Sequence, residues 1–526
     1  MSDSNDARSN LERLNKSNFK LYIMSIIVGI LTGLAVTAYR WILEEIEGVR
    51  RNFTGISALK EVSQEIIIVV FICFILVGLI VDYLYKKYPT TSGSGIPQVK
   101  ALILGKLNYK NWWQEFIAKF VGGFLGIGAG LSLGREGPSV QLGSYLGFGI
   151  SKILKQDTVN RNYLVTAGAS AGLAGAFGAP LAGVMFSIEE LHRYLSTKML
   201  ICIFLSSIFA DFTGRRFFGI ATSFHLDVKY EVIIGPYLQF FLYILLAIVV
   251  AFLGKLFTYC LIKSQDLFAG LKVSRTIKIS VIMSIAFLLC NFLPEVTGGG
   301  HSLVEEISHT SFSVRFLVLI FIVKLLFTTT SYSTGFAGGI FLPMLVLGAL
   351  SGKIFSTFLS LFMEIPHFLE LNFIVLGMAA FFVAVVRAPI TGTILILEMT
   401  GSFGLLLALS TVSAISFLIT EKLKLEPIYE ILYERMKKDD DEESKNKSGK
   451  TLITLTVMSE SLLEGKMVSE IMWPEDVLVV SIIRSGVEKI PKGRTQILAG
   501  DSLVLLLPEN KVSEVKEKIL RDSMQN

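Results

Sequence analysis

Long apolar blocks are the feature of this sequence that most restricts its fold. A helix that crosses a bilayer needs about 20 apolar residues. The plainest blocks cover residues 21–39, 66–81, 237–257, 279–293, 316–328 and 405–419. Charged residues make up only 18% of the chain, and mean hydropathy is +0.60. About a quarter of a soluble domain is charged, so the sequence predicts an all-α, multi-pass membrane protein embedded in a lipid bilayer.

The polar segment 1–20 sets the expected orientation. It has no short apolar core and no small-residue cleavage site, so no secretory signal is expected there. Its basic residues Arg8, Arg13, Lys16 and Lys20 favour the cytoplasm. We therefore expect a cell-membrane protein with both termini in the cytoplasm. The net charge of +5 is ordinary for such loops and predicts no nucleic-acid partner.

Cysteine and histidine give no sign of a metal site, a cofactor or an enzyme. All four cysteines lie in apolar stretches without paired spacing, which is typical of small buried residues. They are Cys73, Cys202, Cys260 and Cys290. The five histidines form neither a metal-binding pattern nor a nucleophile–base cluster. They are His192, His225, His301, His309 and His367.

Composition divides the chain into four regions. Residues 1–20 form a cytosolic tail, and residues 21–436 form the membrane domain. Residues 437–450 contain a run of charge and no apolar side chain, so they are expected to be a solvated linker. Residues 451–526 have the composition of a small soluble domain.

The membrane domain contains a weak internal repeat. Pro138 and Pro343 lie 205 residues apart, and glycines follow each proline after five and nine residues. Pro180 and Pro389 lie 209 residues apart, each in an Ala-Pro-x-x-Gly motif with a glutamate nine residues after the proline. The spacing predicts two halves, at about 20–215 and 225–425, with the substrate at their interface. The spaced glycines suit close helix packing.

Three glycine-rich segments with a proline predict an anion site. They are residues 93–97 (GSGIP), 134–138 (GREGP) and 338–343 (GGIFLP), and an apolar helical run follows each. A helix N-terminus presents free N–H groups, so three of them at one place would bind an anion without a fixed cation. The residues of these loops are Gly93, Gly95, Gly134, Arg135, Gly137 and Gly339. Simple breaks between helices are the alternative.

Glutamates at helix ends are the candidate proton carriers. A carboxylate at a helix N-terminus is stabilised as the anion, so Glu136 could occupy the position of a chloride and leave it when protonated. A loop glutamate paired with Arg135 is the alternative. Glu189 and Glu190 end an apolar helix, and neighbours on a helix point about 100° apart, so at most one should face the pathway. Glu398 matches Glu189 in the repeat and is expected to be structural.

Together these segments resemble the CLC family of chloride channels and transporters over residues 20–436. The family signatures GSGIP, GREGP and GxFxP are present at 93–97, 134–138 and 339–343, and the APLAG…EE stretch is present at 179–190. The resemblance implies two inverted repeats with broken helices. It also implies a homodimer in which each subunit has its own pathway.

The resemblance also implies roles for single residues. Four residues would bind chloride, namely Ser94, Ile340, Phe341 and Tyr429. Glu136 would be the gating glutamate, and Glu190 the internal proton-transfer glutamate of the exchanger branch. With both glutamates present, a secondary active antiporter that exchanges chloride for protons is expected. A passive voltage- or ligand-gated chloride channel is the first alternative, and a ligand sensor with a membrane anchor is the second.

The soluble tail has the pattern of a small α+β domain. Short β-type runs cover residues 451–457, 477–483 and 502–507, and residues 509–521 have helical spacing. The tail resembles the TrkA-C (RCK-C) domain of potassium-uptake systems. The resemblance implies pairing across a dimer and a small regulatory ligand, for which a cyclic dinucleotide is a candidate. A purely structural dimer clamp is the alternative.

Overall fold

The computed structural model describes residues 2–55, 63–192, 196–219, 224, 226, 228, 235–444, 450–457, 461–474, 476–484, 487–508, 512 and 515. The chain separates into two compact units, Met1–Glu434 and Arg435–Asn526. The first unit is helical, and the second contains a small β-sheet.

The helices of the first half are α1 Ser2–Phe53, α2 Gln64–Lys87, α3 Ile96–Ile103, α4 Trp112–Gly128, α5 Glu136–Ile153, α6 Thr158–Phe177, α7 Pro180–Phe186 and α8 Thr197–Phe218, with a π-helical turn Ser187–His192 after α7. The helices of the second half are α9 Pro236–Gly270, α10 Arg275–Phe292, α11 His301–His309, α12 Val314–Ser333, α13 Phe341–Leu359, α14 His367–Val386, α15 Pro389–Thr400, α16 Leu406–Lys422 and α17 Ile428–Ser444. Among the described residues, nine helices are long and apolar enough to cross a membrane. Every predicted apolar block lies in or overlaps one of them, which confirms the multi-pass prediction.

Local sequence explains where α6 begins and ends. The Asp157 carboxylate accepts a hydrogen bond from the Asn160 N–H (2.8 Å), so it satisfies one of the free donors of the first turn. The helix ends at Gly178, which has a φ of 65°. This left-handed conformation favours glycine and turns the chain directly into α7.

Glycines allow the helices within each half to approach closely. An added Cβ at Gly143 of α5 would lie 1.9 Å from the carbonyl oxygen of Gly168 in α6. The repeat-related Gly348 of α13 would meet the carbonyl oxygen of Gly377 in α14 at 2.5 Å. These distances are too short for any side chain, so the glycines are packing residues, as their spacing predicts.

Backbone hydrogen bonds join the two halves in a symmetric pattern. Gly134 and Gly339 are repeat counterparts, and they exchange two N–H···O bonds of 2.6 and 2.7 Å as an antiparallel bridge. The Gly93 N–H donates to Gly335 (3.0 Å), and the Gly298 N–H donates to Gly130 (3.2 Å). Gly298 is the counterpart of Gly93, and Gly335 is the counterpart of Gly130, at the offset that separates the first pair of prolines. The repeat therefore extends through these loops.

Two glutamates link the halves by reciprocal capping. The Glu189 carboxylate accepts hydrogen bonds from the backbone N–H groups of Ile390 (3.2 Å) and Thr391 (2.7 Å) at the start of α15. The Glu398 carboxylate accepts them from two N–H groups at the start of α7, those of Leu181 (3.1 Å) and Ala182 (2.8 Å). Each half therefore supplies the acid that caps a helix of the other half.

The capping contact corrects one expectation from the sequence. Threonine hydroxyls in helices commonly bond back to the preceding turn, and both Thr391 and Thr400 are expected to do so. Thr400 does, with its hydroxyl 2.7 Å from the Ile396 carbonyl oxygen. The Thr391 hydroxyl instead donates to Glu189 (2.6 Å), because Thr391 is in the first turn, where the repeat-related acid is the nearer acceptor.

The second unit contains a four-stranded antiparallel sheet. Its strands are β1 Lys450–Thr456, β2 Leu478–Arg484, β3 Val487–Lys489 and β4 Ser502–Pro508, in the order β1-β4-β2-β3. The three predicted strands agree with β1, β2 and β4 to within one residue. The short strand β3 was not predicted, since three residues give no periodicity. Alternate β4 side chains (Leu503, Leu505 and Leu507) lie in the core.

Two segments at the edges of this unit are only partly described. The predicted helix 509–521 lies outside the described residues except for Val512 and Val515, which are helical and buried. The predicted linker 437–450 is helical as far as Ser444, where α17 ends. Residues 445–449 lie outside the described residues.

Candidate anion and proton sites

Three helices begin at the loops that the sequence marks as an anion site. Helix α3 begins at Ile96, α5 at Glu136 and α13 at Phe341. From the sequence, each proline could be the first residue of its helix, where its missing N–H costs nothing. In the structure the proline of each motif is the second or third residue. All three prolines still lie in the first turn, where the missing N–H costs no helical hydrogen bond.

The three loops contact one another through glycines. An added Cβ at Gly137 would lie 2.6 Å from the carbonyl oxygen of Ser94, so the GREGP loop packs directly on the GSGIP loop. An added Cβ at Gly339 would lie 3.2 Å from the Gly137 nitrogen. Gly93 and Gly95 have φ values of 61° and 89°, which let the chain turn tightly on both sides of Ser94. The structure thus brings the three predicted loops together.

Ser94 and Glu136 are buried where these loops meet. Ser94 is 1% exposed, and its hydroxyl oxygen accepts a hydrogen bond from the Ile96 N–H (3.3 Å). Glu136 is fully buried, and within the described residues neither of its carboxylate oxygens has a hydrogen-bond partner. Arg135 lies 3.5 Å from Glu44, which gives this arginine a partner other than Glu136.

Ile340, Phe341 and Tyr429 are also fully buried. Ile340 and Phe341 stand at the start of α13, where backbone N–H groups are not used by the helix itself. The Phe341 ring packs against Phe382, with 4.9 Å between centroids, which fixes the orientation of this helix end. The Tyr429 hydroxyl lies near the start of α17 and has no hydrogen-bond partner in the part of the chain that the structure describes.

Glu190 lies on a different element from these loops, in the π-helical turn after α7. Its side chain is buried, and one carboxylate oxygen lies 3.7 Å from the ammonium nitrogen of Lys100 in α3. Lys100 also contacts Glu430 of α17 at 2.5 Å. Glu189 points to the cap of α15, so the two neighbouring acids face different partners, as the helical angle between them predicts.

The sequence prediction missed two buried lysines. The ammonium of Lys119 donates to the carbonyl oxygens of Thr91 (3.0 Å) and Gly93 (2.7 Å) and so holds the GSGIP loop. The ammonium of Lys324 donates in the same way to Val296 (3.0 Å) and Gly298 (2.9 Å). The two lysines are separated by the same offset as the first pair of prolines, and this match is the signal that could have identified them.

These features together define the chemistry that the site allows. Free N–H groups at helix starts can hold an anion weakly, and a buried carboxylate at one of those starts can compete with it. No group of three or more His, Cys, Asp or Glu side chains among the described residues could hold a metal ion. The geometry therefore fits an anion pathway with a titratable carboxylate in it.

Comparison with known proteins agrees with this geometry. Residues 77–421 match the family model described as voltage gated chloride channel, and residues 452–520 match the TrkA-C domain model. The chain is 33% identical over 452 residues to the H(+)/Cl(-) exchange transporter ClcA of Salmonella arizonae, which covers 83% of this chain and 93% of that protein.

Solved structures show the same fold. A slow cyanobacterial Cl-/H+ antiporter is 29% identical with a TM-score of 0.74, and the match covers 79% of this chain and 97% of that one. A CLC-type fluoride/proton antiporter is 20% identical with a TM-score of 0.63, covering 77% and 96%, and this likeness shows the fold alone. The chain therefore belongs to the CLC family of chloride channels and transporters and carries a TrkA-C domain.

Proposed function

We propose that this protein is a secondary active antiporter that exchanges chloride for protons across the membrane. The observation that carries the proposal is the meeting of three helix starts around Ser94 and the buried carboxylate of Glu136. Relatives over most of the chain are named as proton/chloride exchangers. They are transporters, which also fits a chain whose residues predict no enzyme.

Chloride binds between the helix starts in this proposal. The Ser94 hydroxyl, the backbone N–H groups of Ile340 and Phe341, and the Tyr429 hydroxyl are the donors. These donors carry no full positive charge, so binding stays weak enough for release. The glycines of the three loops let backbone approach the ion closely. They are Gly93, Gly95, Gly134, Gly137 and Gly339.

Glu136 gates this pathway through its own charge. The ionised carboxylate at the start of α5 competes with chloride for the same donors, because both are anions. Protonation removes that competition, and the side chain can then leave the site with its proton. One residue therefore opens the chloride path and carries a proton. Arg135, which is paired with Glu44, contributes a positive potential at the mouth of the path.

Glu190 supplies the proton from the inner side. It is buried, as a group that exchanges protons within the membrane must be, and it lies on a different element from Glu136. A proton thus travels between two carboxylates, whereas chloride passes the serine and tyrosine hydroxyls. The two routes share only the part near Glu136.

Paired flux measurements in liposomes test the proposal. The unaltered chain, Glu136→Gln and Glu190→Gln are reconstituted, and chloride and proton movements are recorded under an imposed chloride gradient. We expect uphill proton movement in the unaltered chain. Glu190→Gln should abolish it while chloride still moves, and Glu136→Gln should remove both coupling and pH dependence.

A passive channel gives a different result. Chloride would then move in the unaltered chain without proton flux, and Glu190→Gln would change nothing. That outcome would overturn the role of Glu190 and favour the channel.

We further propose a homodimer in the cell membrane with both termini in the cytoplasm. The basic segment before residue 21 supports this orientation. Light scattering of the detergent-solubilised protein gives the subunit number, and cysteine labelling from each side of the membrane gives the topology. A monomer, or labelling of the N-terminal segment from outside, would contradict the proposal.

The TrkA-C domain is proposed to regulate transport by binding a small ligand. A cyclic dinucleotide is the first compound to test. Calorimetry with the full chain and cyclic di-AMP should show binding that removal of residues 451–526 abolishes. If the same deletion dissociates the dimer but leaves the flux unchanged, a purely structural dimer clamp is favoured.

A further inference from the structure

A buried charge cluster lies next to the proposed proton glutamate. One ammonium, that of Lys100, stands between the carboxylates of Glu430 (2.5 Å) and Glu190 (3.7 Å). The side chains of Lys100 and Glu190 are 7% and 3% exposed, whereas that of Glu430 is 26% exposed. The cluster therefore has one end at the surface of the chain and one end inside it.

Charge balance makes this cluster able to take up one proton. With all three groups ionised, two carboxylates and one ammonium carry a net charge of −1. Burial makes a net charge unfavourable. Binding of one proton by either carboxylate makes the cluster neutral and so removes this unfavourable charge. An isolated lysine–glutamate pair is already neutral and has no such tendency.

The same molecule contains a buried lysine that contacts a single carboxylate, that of Glu370, which also lies 3.4 Å from the exposed His367. Lys353 lies 2.6 Å from Glu370, with side-chain exposures of 2% and 21%. The N···O distance and the side-chain exposures are close to those of Lys100 and Glu430, but the contact joins α13 and α14 and does not include Glu190. This pair is thus a matched control for the loss of a buried lysine.

We propose that Lys100 and Glu430 form the proton entry to Glu190, with Glu430 as the solvent-side carboxylate and Lys100 as the positioning residue. A hydronium ion gives a proton to the Glu430 carboxylate and becomes water. Glu430 then returns to the carboxylate form as the proton passes to the Glu190 carboxylate. Lys100 contacts both acids and holds them around one nitrogen. This inference rests on the proposed exchange function.

Other titratable groups near Glu190 are accounted for by their contacts. His192, in the same π-helical turn, contacts the Thr166 hydroxyl of α6 at 2.5 Å. The charged residue of α6, Arg161, lies over the Phe148 ring, 5.8 Å from its centroid. Helix α7 contains no titratable side chain. The Tyr429 hydroxyl of α17 belongs to the proposed chloride site, next in sequence to Glu430.

Liposome flux as a function of internal pH tests the inference. Five proteins are compared: the unaltered chain, Lys100→Met, Lys100→Arg, Glu430→Gln and the control Lys353→Met. An adjacent opposite charge lowers a carboxyl pKa by about 1 to 3 units, so Lys100→Met should move the midpoint of proton flux up by about one pH unit or more. Lys100→Arg and Lys353→Met should have the same pH midpoint of proton flux as the unaltered chain. Glu430→Gln should lower the ratio of proton to chloride flux at least about tenfold.

Each result decides between specific readings. An unmoved midpoint in Lys100→Met would overturn the role of Lys100, and so would an equal shift in Lys353→Met. An unchanged flux ratio in Glu430→Gln would overturn the entry role, even if Lys100→Met fails to fold. Absence of proton flux in the unaltered chain would overturn the exchange function itself. Proton flux that is present but insensitive to Lys100 and Glu430 would overturn this inference alone.

Discussion

The reciprocal caps between the two halves allow a quantitative test of how the halves hold together. Glu189 accepts three hydrogen bonds at the start of α15, two from backbone and one from the Thr391 hydroxyl. Glu398 accepts two at the start of α7, where Ala182 is the repeat-related counterpart of Thr391. The caps thus differ by one hydroxyl.

The expected costs follow from that difference. An N-cap acid replaced by alanine costs about 1 kcal/mol for each helix donor left unbonded, so Glu398→Ala should lower the unfolding free energy by about 2 kcal/mol. Glu189→Ala should cost about 3 kcal/mol, since a third hydrogen bond is lost. In a Thr391→Ala background the Glu189→Ala cost should fall to about 2 kcal/mol, which leaves a coupling energy of about 1 kcal/mol.

Thermal unfolding in detergent measures these differences. At about 2 °C per kcal/mol, we expect midpoint losses of about 4 °C for Glu398→Ala and about 6 °C for Glu189→Ala. Thr391→Val retains the shape of the side chain without the hydroxyl and serves as a second background. Equal losses for the two acids in the unaltered chain, or no coupling with Thr391, would refute the reasoning.

Three further predictions use other contacts of the described residues. Gly352→Ala places a Cβ 2.0 Å from a backbone oxygen, so the yield of folded protein should fall sharply in detergent extracts. Lys119→Met leaves the Thr91 carbonyl oxygen unbonded, because the Gly93 oxygen still accepts from the Gly338 N–H (3.1 Å). Lys324→Met removes the ammonium from both the Val296 and the Gly298 oxygens, so it should lower the unfolding midpoint more, whereas only Lys119→Met should weaken chloride binding in calorimetry. Hydrogen bonding to Arg484 lowers the pKa of Asp501, so the tail is stabilised above pH about 4 and loses that contribution as pH falls through the lowered pKa. Limited proteolysis between pH 6 and 3 should show this loss, and Arg484→Gln should reduce it.

Spans and loops of the membrane unit could be predicted because their signals are local. An apolar block of sufficient length has few structures open to it in a bilayer, so hydropathy located the long helices. The strands of the tail were predicted for a similar reason, from β-branched runs bounded by turn residues. The end of α7 at Phe186 was not predicted, since a π-helical turn follows this helix without a break in the chain pattern such as glycine or proline.

Partners across the two halves could not be predicted from local patterns. The cap of α15 by Glu189 joins residues from different halves of the repeat. The contact of Lys100 with Glu430 joins two helices that are far apart in the sequence. Helical spacing shows that Glu189 and Glu190 diverge, but not which one meets the other half. The repeat offset does carry that information for Lys119 and Lys324, because a duplicated contact recurs at the same spacing.

The duplication also explains why the proposed site is asymmetric although its frame is symmetric. At the repeat offset, the counterpart of Ser94 in the second half is Gly299, and that of Glu136 is Phe341. Glycines in the loops recur in both halves with nearly equal φ, 61° and 89° at Gly93 and Gly95 against 61° and 90° at Gly298 and Gly300. The backbone geometry of these loops is thus the same in both halves, whereas the Ser94 hydroxyl and the Glu136 carboxylate occur in the first half only. Since an anion needs only one set of side-chain groups at the interface, the second half is free to supply backbone N–H groups and packing there.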